Sequence, residues 1–287
     1  MATGKLSPSA DLHPTTLIRD RIVVTLAALV WIGGTLLGSG WFGGGGVASQ
    51  GDGLFSDAAT LIAPKGPAFS IWSVIYIGLL GYVVWQWLPG AAKSEWARVS
   101  RIPAAIAIAL NGVWLLVVFA GWVGVSVLVI LGIAAALGIL LHRTARLARE
   151  GWPVQVWVAV TFGLYLGWIC VATCANIALW LVGLGVPTVS GTSVALTVVV
   201  LAVVVALVAF LLSRTHQPFY QAAIAAAVIW GTAWVSAGRF AGEPLNSTVG
   251  YAAAVAAAAV AVLGVVFVIR ASRRTSPVRR AGVAPRT

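Results

Sequence analysis

Three apolar segments of the sequence carry aromatic and amide side chains at helical spacing. These residues are Phe69, Trp72 and Tyr76 in one segment, Asn111 and Trp114 in a second, and Trp168, Ala172, Asn176 and Trp180 in a third. Spacings of three, four and seven residues place each set on one face of a helix. Indole rings stack on flat apolar molecules, and amide groups orient a bound ligand by hydrogen bonding. The pattern is typical of a ligand pocket, but also of helix packing with Asn111 and Asn176 as interhelical hydrogen-bond partners.

The elements that carry these residues are predicted to be transmembrane helices. The 287-residue chain is 60% hydrophobic and only 9% charged, whereas a soluble domain carries about 25% charged residues. A membrane-spanning helix needs about 20 apolar residues, and eight segments approach or exceed this length. They run over 22–42, 68–88, 102–120, 123–141, 155–181, 192–212, 219–237 and 249–269. Because these runs are continuous and do not alternate, a β-barrel is excluded, and we expect an all-α integral membrane protein with about eight transmembrane helices.

The basic residues predict the orientation of the chain. Of the 18 Lys and Arg residues, only Lys65 and Arg239 fall on the outer side when the N-terminus is placed in the cytoplasm. An excess of basic residues marks cytoplasmic loops, so we expect a plasma-membrane protein with both termini cytoplasmic. The net charge of +11 is explained by this asymmetry, and no nucleic-acid partner is expected.

Ionisable side chains are scarce inside the expected spans. In this assignment Arg101 and Arg239 lie in loops, and no Asp, Glu, Lys or Arg lies in the middle of a span. Intramembrane charges mark ion-coupled transport, and a metal site needs several ligands close together. We therefore expect no catalytic residue, no metal and no required cofactor. Two alternatives stay open: a secondary transporter of another class, and an integral-membrane enzyme acting on isoprenoid or porphyrin substrates.

Three motifs occur in order along the first five predicted helices. They are Pro64-Lys65-Gly66-Pro67-Ala68-Phe69-Ser70-Ile71-Trp72 followed by Tyr76, then Leu110-Asn111 with Trp114 and Phe119, then Trp168, Ala172-Thr173, Asn176 and Trp180. Together they resemble the tryptophan-rich sensory protein family, also called the translocator protein or TspO/MBR family. The resemblance covers roughly residues 22–182. The sequence departs from the family pattern at Lys65, where the family often has Pro, and in the three helices that follow the five-helix core.

The resemblance implies a function and a set of site residues. The family binds tetrapyrroles, and in many members sterols or related apolar ligands, in a helical cavity partly covered by the first loop. The ligand-binding residues implied here are Phe69, Trp72, Tyr76, Asn111, Trp114, Trp168, Thr173 and Asn176. A regulatory, sensory or transport role follows, with a porphyrin or haem-like molecule as the ligand. Membrane lipid and a second copy in a homodimer are the other expected partners.

The expected organisation has four parts. A cytoplasmic tail over 1–21 precedes a five-helix core over 22–182, a three-helix extension over 183–271 and a basic tail over 272–287 that is expected to be disordered. The extension is expected to pack on the core and to make no ligand contact. The glycine-rich loop over 43–67 is either a lid over an outward-facing cavity or a slack tether. Trp96 and Trp152, near span ends, are interpreted as interfacial belt residues.

Overall fold

The computed structural model of the protein describes residues 14–38 and 56–275. Eight helices in these ranges are long and apolar enough to cross a membrane, which confirms the predicted fold class and number of spans. They are α1 (Pro14–Gly38), α2 (Ile71–Trp85), α3 (Glu95–Phe119), α4 (Val123–Thr144), α5 (Thr161–Gly183), α6 (Gly191–Arg214), α7 (Pro218–Ala241) and α8 (Ser247–Thr275). No β-strand occurs in the described part of the chain.

Short helical segments lead into several of the long helices. A 3-10 turn over Gly66–Ser70 opens α2, and a four-residue helix, Pro89–Ala92, lies between α2 and α3. Before α5, the helix begins at Trp152 and passes through a π-helical turn over Gln155–Val160. The fifth span therefore runs over Trp152–Gly183, which agrees with its unusual predicted length.

Three expectations concern residues that lie partly outside the described ranges. They are the N-terminal tail up to residue 13, the loop over 43–67 up to residue 55, and the basic C-terminal tail from residue 276. The described parts of the two expected tails, 14–21 and 272–275, belong to α1 and α8, so the predicted tail boundaries were wrong there. The rest of the loop, from Ser56 onward, is described and lies over the helices.

Helices α1 and α3 touch through their backbones. A Cβ atom added at Gly34 would lie 2.3 Å from the carbonyl oxygen of Gly112, and one added at Gly112 would lie 2.5 Å from that of Val30. Small residues at helix crossings allow this approach in membranes, where van der Waals packing replaces the hydrophobic effect between helices. The contact fixes the third helix, and with it Asn111, against the first.

The extension is joined to the core by an equally close contact between α5 and α7. A Cβ at Gly163 would lie 2.7 Å from the Cβ of Ala223, and one at Gly167 would lie 2.4 Å from the carbonyl oxygen of Ile224. Helix α8 packs mainly on α7, and α6 packs mainly on α8. The extension therefore packs on the core as expected, through α7.

The start of α3 differs from the sequence-based boundary. The helix begins at Glu95, and both Trp96 and Arg101 are fully buried. The Trp96 indole N–H donates to the carbonyl oxygen of Ala148 at 2.8 Å, while the Arg101 guanidinium donates to Gln86 Oε1 at 2.6 Å and to the carbonyl oxygen of Ala91 at 3.1 Å. The assignments of Trp96 to the interfacial belt and Arg101 to a loop were wrong. Internal hydrogen bonds satisfy the Trp96 indole and two of the three guanidinium nitrogens of Arg101, and Nη1 is buried without a partner. Hydropathy alone would place these polar groups in water.

The end of α7 also lies beyond its predicted position. The helix continues to Ala241, so Arg239 lies in its last turn and not in a loop. Only 1% of Arg239 is exposed.

Candidate functional site

A cavity of about 70 Å³ lies among α2, α3, α4 and α5. Residues 56–64, here called the lid segment, cover one side of it through Ser56, Ala59 and Thr60, with Ala63 and Pro64 at their end. Six of the eight predicted site residues line the cavity: Phe69, Trp72, Asn111, Trp114, Trp168 and Asn176. The wall is mostly apolar, with the two asparagine side chains among its few polar groups.

The turn that opens α2 positions Phe69 and Trp72. Pro67 stands in the first turn of the 3-10 helix, where a proline costs no backbone hydrogen bond. The Gly66 N–H, which the turn leaves free, donates to Asp57 Oδ2 at 2.8 Å. This bond ties the lid segment to the turn at the start of α2. The same turn therefore positions the lid segment, Phe69 and Trp72.

The aromatic residues at the cavity contact one another edge to face. The rings of Phe69 and Trp168 have centroids 5.7 Å apart and planes 80° apart, and those of Trp72 and Trp168 are 6.2 Å and 81° apart. Trp72 also meets Tyr165 at 5.7 Å. These geometries match the preferred arrangement of aromatic pairs, which stabilises a cluster beyond its buried area.

Each cavity asparagine is held by a hydroxyl group on a neighbouring helix. The Tyr76 hydroxyl donates to Asn111 Oδ1 at 3.2 Å, and Asn176 Nδ2 donates to Ser126 Oγ at 2.8 Å. Both asparagines are at least 95% buried. The bonds join α2 to α3 and α5 to α4, so the amides act between helices as well as lining the cavity.

Two indole N–H groups of the site have no hydrogen-bond partner. They belong to Trp114 and Trp168, and both nitrogen atoms are buried. A buried donor without an acceptor is unfavourable by about 1–3 kcal/mol. An acceptor atom that reached either nitrogen would satisfy it.

The remaining two predicted residues lie outside the cavity wall. Tyr76 is behind Asn111, where it also contacts Trp31 with ring centroids 4.9 Å apart. Thr173 does not line the cavity, and its Oγ1 atom is buried without a partner. Ala172 and Asn176 of α5 line the cavity. Thr173 directly follows Ala172 and is therefore rotated about 100° from it around the helix axis.

Sequence reasoning missed the contribution of α4 and the identity of the lid contacts. Ile130 and Ile133 of α4 line the cavity, as does Thr60 of the lid segment. The isoleucines are three residues apart, but they lie in a helix that is apolar on all faces, so their spacing gives no signal. Only the length of the loop over 43–67 pointed to a lid.

The described residues contain no group of three or more His, Cys, Asp or Glu side chains close enough to hold a metal ion. The residues that line the cavity offer aromatic rings, the amides of Asn111 and Asn176, and the hydroxyl groups of Ser56 and Thr60. Such a set can bind and orient an apolar molecule that carries hydrogen-bond acceptors.

Comparison with known proteins identifies the family. No curated protein and no solved structure matches the chain significantly. The sequence model of the TSPO-like protein family matches residues 22–267. This match is longer than the region covered by the three motifs and includes the helices of the extension. The chain is therefore a multi-pass membrane protein that belongs to the TSPO-like protein family.

Proposed function

We propose that the protein binds a planar hydrophobic molecule of the porphyrin type in the cavity among α2, α3, α4 and α5. The observation that carries this proposal is the convergence of Trp72, Trp114 and Trp168 on one cavity with the amides of Asn111 and Asn176. The resemblance to the family suggests a tetrapyrrole ligand, and sterols and isoprenoids are related candidates. The bound state serves a regulatory, sensory or transport role in the plasma membrane.

The polar groups of the cavity suit such a ligand. Porphyrins combine flat apolar rings with acidic side groups, whose oxygen atoms accept hydrogen bonds. The unpartnered N–H groups of Trp114 and Trp168 supply donors, and the indole faces supply stacking surface. Both indoles are fixed within packed helices, so little side-chain freedom is lost on binding.

The size of the cavity requires a movement before binding. Its volume of about 70 Å³ is far below the roughly 300–1,000 Å³ of pockets that hold small-molecule ligands. Helix α4 packs closely on both α3 and α5, whereas the lid segment consists of turns and bends. We therefore expect the lid segment to move when a ligand binds.

The proposal is tested by titrating protoporphyrin IX into the detergent-solubilised protein and following the quenching of tryptophan fluorescence. Saturable quenching is expected for the natural sequence. Ala172→Phe, which fills the cavity from α5, should abolish the saturable component. The matched control is Ala222→Phe, because Ala222 is exposed on α7 outside the cavity. Equal quenching in both variants would mean that porphyrin binds elsewhere, and the proposal would be wrong.

A further inference from the structure

Helix α7 of the extension holds the lid segment through one buried arginine. Arg239 Nη1 donates to the carbonyl oxygen of Thr60 at 3.2 Å, and Nη2 donates to that of Asp57 at 3.1 Å. Nη2 also donates to the carbonyl oxygen of Glu243 at 3.0 Å, just beyond the end of α7. A single guanidinium group therefore joins two points of the lid segment to the end of the extension helix.

The burial of Arg239 makes these bonds strong. The residue is 1% exposed; Nη1 and Nη2 donate to three backbone carbonyl groups, and Nε is buried without a partner. A buried charge is very unfavourable unless it is hydrogen-bonded, and bonds from a charged donor are about twice as strong as neutral ones. Lifting the lid segment would remove two of the three acceptors. The arginine therefore opposes that movement more than a neutral side chain would.

Further contacts hold the chain that follows the lid segment to the same helix. The Lys65 backbone N–H donates to the carbonyl oxygen of Trp234 at 3.2 Å, and Lys65 Nζ donates to that of Ala241 at 3.0 Å. The Trp230 indole N–H donates to the carbonyl oxygen of Ala68 at 2.8 Å. These three hydrogen bonds fix the chain at Lys65–Ala68, directly after the lid segment. The lid segment can therefore lift only before Lys65, which is the part that Arg239 contacts.

The backbone that Arg239 holds is the backbone that covers the cavity. Thr60, whose carbonyl oxygen accepts from Arg239, lines the cavity and is only 4% exposed. Its Oγ1 atom is buried without a hydrogen-bond partner, so its side chain adds no bond that would keep the lid closed.

Apolar packing of Leu61 and Ile62 in a buried cluster with Val235, and a bond from Thr188 Oγ1 to the carbonyl oxygen of Ala59 at 3.4 Å, also hold this segment. The guanidinium group adds two hydrogen bonds from a charged donor to these contacts.

We propose that Arg239 is a positioning residue that controls access to the cavity by holding the lid segment closed. The three-helix extension is then a regulator of the site, although it contributes no residue to the cavity wall. This inference rests on the proposed function only for the identity of the ligand. Access to the cavity can be measured without any ligand.

Access is measured by the labelling rate of a cysteine placed in the cavity wall. In the full-length protein in detergent, Cys170→Ala and Cys174→Ala remove the native thiols, and Ala172→Cys introduces one at the cavity. A charged methanethiosulfonate reagent reaches this thiol when the lid lifts. Arg239→Gln should raise the labelling rate about tenfold or more, because loss of one hydrogen bond to a charged group changes an equilibrium by about that factor. Arg239→Lys, which keeps the charge but has one donor nitrogen, should give a smaller increase.

Ser236→Ala is the matched control. Ser236 lies on the same helix, is 9% exposed and donates to the carbonyl oxygen of Gly250 on α8 at 2.9 Å, away from the lid. Its loss should leave the labelling rate unchanged. If Arg239→Gln does not fold, Arg239→Lys gives the same comparison. Labelling of a folded Arg239 variant at the rate of the parent protein would overturn the inference, as would an equal acceleration by Ser236→Ala.

The porphyrin titration separates the two proposals. If the labelling rates follow Arg239 while the natural sequence binds no porphyrin, the control of access stands and the proposed ligand is wrong. If porphyrin binds while Arg239→Gln leaves the labelling rate unchanged, the proposed ligand stands and the control of access by Arg239 is wrong.

Discussion

The indole rings of Trp72 on α2 and Trp168 on α5 meet edge to face across the wall of one cavity, with centroids 6.2 Å apart. The two residues are far apart in the sequence, and neither helix alone forms a pocket. Phe69 contacts the same Trp168 ring from the turn that opens α2. This cluster places the aromatic residues of two family motifs at a common site.

Tyr76 is expected to affect ligand affinity although it does not line the cavity. Tyr76→Phe removes the hydroxyl that holds Asn111 Oδ1 at 3.2 Å, so the amide loses its fixed orientation. We expect affinity for protoporphyrin IX to fall about 2- to 10-fold, the range of a typical hydrogen bond. Tyr82→Phe is the control, because the Tyr82 hydroxyl pairs with Ser100 and not with a cavity residue. The same loss in both variants would contradict a specific role for the Tyr76–Asn111 bond.

Gly167 is expected to be essential for the close contact between α5 of the core and α7 of the extension. In Gly167→Ala the new Cβ would lie 2.4 Å from the carbonyl oxygen of Ile224 on α7, so the helices must separate. We expect a loss of about 1–3 kcal/mol in the free energy of unfolding, as for other overpacked sites, measured by thermal or denaturant unfolding in detergent.

The control for this prediction is Gly138→Ala on α4. An added Cβ at Gly138 meets nothing within 4 Å, and alanine is the better helix former by about 1 kcal/mol. Gly138→Ala should therefore be neutral or stabilising. If Gly167→Ala were equally harmless, α5 and α7 would not be packed as described.

The charge distribution predicts which end of each helix faces the cytoplasm. In intact cells, with the native cysteines replaced, a cysteine at the exposed position Glu243 should react with an impermeant thiol reagent. A cysteine at the exposed position Arg146, at the opposite end of the helices, should be protected until the cells are broken. Labelling of position 146 from outside, with position 243 protected, would show that the orientation is reversed.

The sequence predicted the number of helices well and their ends less well. Hydropathy detects the apolar middle of a span, so each of the eight spans in the described part of the chain was found. It places Arg101 and Arg239 in loops because it registers their charge and not the carbonyl groups that receive their hydrogen bonds. The true ends of α3 and α7 depend on those tertiary contacts.

The candidate site was predictable where a motif carries polar or aromatic residues. Trp72, Trp168 and Asn176 were identified by spacing and by resemblance, and the structure places all three at the cavity. Ile130 could not be identified, since every face of α4 is apolar. The role of Arg239 could not be anticipated either, because it depends on a contact between residues 60 and 239 that leaves no local pattern.

The central claim is that Trp72 and Trp168 bind a ligand and do not only pack helices together. Its most direct test is the affinity of Trp72→Ala and Trp168→Ala for protoporphyrin IX, measured by fluorescence titration on variants that unfold cooperatively in detergent. Loss of a stacked ring and its buried area should weaken binding about 10- to 100-fold. Trp152→Ala is the control, because Trp152 is 69% exposed and lies outside the cavity. Binding by both cavity variants as tight as that of Trp152→Ala would contradict the account and leave the aromatic cluster as helix packing alone.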